Sequence, residues 1–155
     1  MRISFIIFSI LMLMTSRDHV KGVVAASNYG QSMIDSLQPG QAFAINVKSV
    51  GCFHQSQLRL VIERKVQGYY ADFKMEGNIE GQKVKRSYKP IQLNHAKLDS
   101  IREFERQLKE VSSQTNYCTT VDTYALSFGS VKKIYTTDKC EWPGIGKLTD
   151  VLFEQ

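Results

Sequence analysis

The chain has 155 residues, a formal net charge of +5 at pH 7, 43% hydrophobic and 23% charged residues, and three cysteines. That length carries one domain with its own core. No repeat or low-complexity tract occurs, and the small positive excess is no electrostatic footprint for nucleic acid.

Met1-Arg2 gives a positive start, and the 12 residues from Ile3 to Met14 are apolar apart from Ser4 and Ser9. A membrane-spanning helix needs about 20 such residues, so the run suits the hydrophobic region of a secretory signal peptide. Residues 1–26 are therefore expected to be removed. Cleavage after Val24-Ala25-Ala26 competes with cleavage near Thr15 or Ser16, and with retention as an anchor. Removal takes away Arg2, Arg17, Lys21 and Asp18, so the charge falls from +5 to +3. The expected compartment is the periplasm or the exterior, with no stable transmembrane segment after processing. Residues 27–40, polar and ending in Pro39-Gly40, read as a linker, and 41–155 as a single domain.

From Gln41 to Val50 the residues alternate, with Phe43, Ile45 and Val47 on one side. This is the period of a half-buried strand. Gln57 to Lys65 repeats the pattern through Leu58, Leu60 and Ile62; Tyr69, Ala71, Phe73 and Met75 give the inner row of a third strand. Gly77-Asn78 and Gly81 mark the next connection. Lys83 to Lys89 reads as a short basic strand that Pro90 stops.

A helix follows. Asn94 is a good N-cap, and Leu93 and Leu98 have the spacing of a hydrophobic staple. Leu98, Ile101, Phe104, Leu108 and Val111 form one apolar stripe. Arg102, Glu103, Glu105, Arg106, Lys109 and Glu110 read as a solvated face, with Glu105 and Lys109 as a favourable i,i+4 pair.

Tyr117 to Trp142 reads as two strands joined at Gly129-Ser130. Placing Phe128 opposite Val131 brings Cys118 and Cys140 within one residue of facing each other, an offset that one bulge corrects. A Cys118–Cys140 disulfide is expected in an oxidising compartment, with Cys52 as the competing partner. Trp142 then lies against the disulfide, Pro143 opens a short closing helix, and Ile145, Leu148, Leu152 and Phe153 give its apolar side. The expected class is α+β: an antiparallel sheet of five to six strands, with one main helix and a short C-terminal helix on one face.

Candidate chemistry is sparse. Cys52 could act as a nucleophile with His54 or His95 as base and Asp99 or Asn94 as orienter, or could join both imidazoles in a metal site. Cys52 stands at no helix start that would activate a thiol, and no second closely spaced ligand pair exists, so a loop cysteine beside a surface histidine is the plainer reading. Asp122 and Asp138 are the acids near the hairpin; a capping Asp138 and a solvent-facing Asp122 are expected. No phosphate-binding glycine loop and no Gly-x-Ser-x-Gly occurs. No catalysis and no cofactor or metal are expected. Lys83, Lys85, Arg86, Tyr88 and Lys89 remain as a candidate binding segment. A basic edge strand deters edge-to-edge pairing; its functional reading is contact with an anionic partner, either an envelope component or a protein.

The pattern Cys118-Thr119-Thr120-Val121-Asp122-x-Tyr124, then Asp138… with Cys140 and Trp142, and a helix with Leu148, resembles uncharacterised small secreted or periplasmic bacterial proteins of the Bacteroidetes kind. The likeness covers roughly residues 95–153. It implies a shared fold and export, and no activity. The reading that follows is an exported binding or inhibitory module, with a small cysteine- or metal-dependent hydrolase using Cys52 and His54 or His95 as the alternative.

Overall fold

The computed structural model describes residues 32–112, 119–138 and 142–154. A single 3-10 turn (Met33–Ser36) leads into β1 (Ala42–Val50), β2 (His54–Lys65), β3 (Gly68–Ile79) and β4 (Gln82–Leu93). Helix α1 (His95–Val111), strands β5 (Val121–Phe128) and β6 (Val131–Thr137), and helix α2 (Gly144–Phe153) complete the fold. All strand pairs are antiparallel, in the order β4-β3-β2-β1-β5-β6. The meander β1–β4 thus grows away from β1, and the chain returns through α1 to add the β5–β6 hairpin on β1's other side. The α+β expectation holds, with six strands, a main helix and a short C-terminal helix.

The inner face carries the apolar phase of each strand. Phe43, Ile45, Leu60, Ile62, Ala71, Tyr124 and Leu126 are buried there. Helix α1 covers them with its stripe, since Leu98, Ile101, Phe104, Leu108 and Val111 are all buried. Asn94 Oδ1 accepts from the Lys97 backbone N–H at 3.0 Å, the expected cap. Lys97 also reaches α2, donating from Nζ to the Leu152 carbonyl at 2.6 Å. A cation there offsets the negative end of that helix. Trp142 stacks on Phe104 at 5.7 Å between centroids and meets Tyr124 at 5.5 Å, so its ring closes the core between α1 and β5. The hairpin register is as expected, with Phe128 opposite Val131 and Asp122 opposite Thr137. Cys118 and Cys140 lie outside the described residues.

Four expectations change. The stretch 27–40 is not a loose linker over its second half. Met33, Ile34 and Leu37 are buried in the core, and Arg64 Nη1 donates to the Leu37 carbonyl at 2.5 Å. Glu105 is no solvated residue and has no surface partner role with Lys109. It is 2% exposed, accepting from Ser32 Oγ at 2.5 Å and from the Met33 backbone N–H at 2.8 Å. Gly77-Asn78 continues β3; the turn lies at Glu80-Gly81, with φ of 52° and 82°. A side chain at Gly77 would bring a Cβ within 2.6 Å of the Gln55 carbonyl oxygen, so the residue permits close strand approach and marks no connection. Finally, Pro90 does not end β4. The register shifts between Ala71 and Phe73, leaving Lys89 and Pro90 together opposite Asp72. This is a bulge on an edge strand, where a missing N–H costs no ladder bond.

Candidate functional site

Helices cover one face of the sheet; among the described residues nothing covers the other. That open face carries the polar phase of every strand. Two of its cross-strand rows run Ser87–Lys74–Arg59–Asn46–Ala125 and Lys85–Glu76–Gln57–Lys48–Thr123. These ten residues border a shallow groove of about 830 Å3. Arg59 and Lys74 are direct partners on neighbouring strands, which places two cations side by side. Like charges so placed cost on the order of 0.2–1 kcal/mol. Lys74 has Asp72 at 3.8 Å, a loose contact with the lysine side chain 72% exposed. Lys48, Arg59 and Lys85 form no ion pair among the described residues. Glu76 is the one acid of the two rows, against four cations.

The basic segment foreseen in β4 is divided by the strand's own alternation. Lys85 belongs to the open-face row, and Lys83, opposite Asn78, has the same phase. Arg86 is opposite Met75 and Tyr88 opposite Phe73, on the helix-bearing face. Tyr88 stacks on Phe153 of α2 at 4.9 Å, so it is a packing residue. Lys89 sits in the bulge. β4 is also an edge strand, so the protective role of its lysines stands beside any binding role. Sequence reasoning missed Lys48, Arg59 and Lys74. Each stands on the exposed phase of its strand, the signal that could have found them.

Of the residues in the hydrolase alternative, Cys52 and His54 stay two positions apart at the β1–β2 connection, and His95 is remote from both. His54 pairs with Ile79 and Leu93 with Tyr69, ten residues along β3, which puts His95 about 33 Å from His54. Asn94 and Asp99 go with His95 on α1. Cys52 is exposed in the β1–β2 connection, and His54 Nε2 shares a hydrogen bond with Ser49 Oγ at 2.9 Å. No group of three or more His, Cys, Asp or Glu able to hold a metal occurs among the described residues.

Asp122 corrects another expectation. Its even phase in β5 is that of Tyr124 and Leu126, so it faces the helices and not solvent. Tyr124 Oη donates to Asp122 Oδ2 at 3.2 Å and lies against the start of α2, where a Cβ on Gly144 would meet it at 2.6 Å. Burial first, and the Asp122 carboxylate second, push the Tyr124 hydroxyl far above the usual phenol range.

Comparison with protein-family models, with curated proteins and with solved structures found no match. No described helix is long and apolar enough to cross a membrane.

Proposed function

We propose that the protein is an exported binding module that holds an anionic polymer of the cell envelope on the open face of its sheet. The supporting observation is the direct pairing of Arg59 with Lys74, flanked by Lys48 and Lys85. A stability cost accepted on a solvent-exposed face, where neutral residues fit equally well, favours a role outside folding. The chemistry of the groove favours a polymer over a protein partner. Apart from the five charged residues, the two rows hold Asn46, Gln57, Ser87 and Thr123, which hydrogen-bond, and Ala125, whereas protein interfaces centre on aromatic and aliphatic anchors. The exposed apolar residues of this face, Val50, Val121 and Ile134, lie on the β1, β5 and β6 side.

Export rests on the N-terminal apolar run. The test is association with a purified envelope fraction across a salt series. Binding that weakens steeply as salt screens the face supports the reading. Binding indifferent to salt contradicts it.

A further inference from the structure

The inner face has a second feature, at the end of the sheet beyond the reach of α1. There the apolar row Met75–Leu58–Val47–Tyr124 gives way to a row containing Ser56, Ser49 and Asp122. Helix α2 crosses above. Its start packs on β5 where Gly144 meets Tyr124 Oη, and its end is held at β4 and β3 by Phe153 against Tyr88 and Phe73. A slot of about 270 Å3 remains between the helix and these rows.

Three observations describe what would fill it. Asp122 Oδ1 is buried without a hydrogen-bond partner, alone in this among side-chain polar atoms of the described residues. A buried acceptor without a donor is costly, so an ammonium brought to this carboxylate offsets that cost. Arg86 lines the opposite end, exposed and with no ion pair among the described residues. Between these ends the floor is Val47, Leu58, Met75 and Phe73.

We propose that this slot binds a short linear peptide by its two ends, the ammonium at Asp122 and the carboxylate at Arg86. The length follows from topology. Asp122 on β5 and Arg86 on β4 are four strand spacings apart, about 19 Å between backbones. That span is too long for a single amino acid, and a peptide of two or three extended residues, at about 3.4 Å each, covers it only with the reach of the two side chains added. The volume agrees, falling just below the roughly 300 Å3 where drug-sized sites begin. The apolar floor selects aliphatic side chains, and Thr149 and Asp150 of α2 border the slot from above. This site is on the face opposite to the cationic groove, and either can exist without the other.

The probes are dileucine and trileucine, each free, N-acetylated or C-amidated, titrated into the protein with amide chemical shifts as readout. Binding of a free peptide should move the amides of Ser49, Asp122 and Thr149. N-acetylation and Asp122→Asn should each weaken binding about tenfold or more, and not additively, because both remove one contact. C-amidation and Arg86→Gln should behave the same way. The blocked peptides are read on the unaltered protein, so a folding defect in a variant leaves the test intact. Blocked and free peptides binding alike, free leucine binding as tightly as dileucine, or no shift at those three amides would each overturn the proposal.

Discussion

The Met33 backbone N–H donates to Glu105 Oε2 across 72 residues of chain, at 2.8 Å, inside a site where the carboxylate is 2% exposed. Ser32 Oγ occupies the other oxygen. One side chain of α1 therefore fixes the segment before β1, which brings Met33, Ile34 and Leu37 into the core. Glu105→Ala should lower stability by about 2–4 kcal/mol, since it strands a buried N–H and loses a hydrogen bond to a charged acceptor. Glu103→Ala, on the exposed side, should leave it nearly unchanged. Chemical denaturation of both variants checks this; equal midpoints would contradict the assignment.

Tyr124 and Gly144 should be coupled. Gly144 has φ of +51°, and a Cβ there would meet Tyr124 Oη at 2.6 Å. Gly144→Ala should cost about 1–3 kcal/mol from strain and collision. Tyr124→Phe alone should cost about 1 kcal/mol, by removing the hydroxyl that donates to Asp122. In the double variant the collision is gone, so the two costs should sum to more than the observed loss. Thermal melts of the four proteins measure the cycle, and strict additivity would show that the two groups do not touch.

Acid should weaken the outer face of α1. Hydrogen bonds from Arg106, then from Gln107, hold the Glu103 carboxyl down to about 2. A lowered carboxyl stabilises the fold above its unfolded value, here the ordinary 4.5, and that contribution is lost as pH falls from there toward 2. The group is fully exposed, so the effect should be small and should shrink in salt. Stability measured against pH should show a shallower acid limb in Glu103→Gln; an unchanged limb would remove this pair from the account.

The Arg59–Lys74 pair predicts opposite signs for stability and binding. Replacing either cation with glutamine should leave the fold unchanged or raise its stability by up to about 1 kcal/mol, because a cross-strand repulsion is relieved. The same change should weaken association with an anionic polymer. A variant that loses stability would mean that the two side chains support the sheet.

Much of this fold is legible in the residue pattern. Period two in β1–β3, the stripe of α1 with its Asn94 cap, and the Gly129-Ser130 hairpin register all follow from local order. The departures have non-local causes. Glu105 adjoins Phe104 at the margin of the apolar stripe, and its burial depends on donors 72 and 73 residues away. Pro90 is tolerated only because β4 is an edge and bulges there, which topology decides. Asp122 is different: its phase with Tyr124 and Leu126 already pointed inward, and its polarity outweighed that signal. The cationic groove was invisible for another reason. Lys48, Arg59, Lys74 and Lys85 are contributed by four strands, so no local run of sequence contains them.

The most direct measurement is the dissociation constant for poly-L-glutamate as a soluble polyanion, compared between two variants that lose positive charge. In one, Lys48, Arg59, Lys74 and Lys85 become glutamine; in the other, Lys109 of α1 and Lys147 of α2, on the helices that cover the opposite face, do. The open-face variant should weaken binding about tenfold or more and flatten its salt dependence. The helix-side variant should bind nearly as the unaltered protein does. Losses in simple proportion to the charge removed, or no loss from the groove, would contradict the open face as the binding surface.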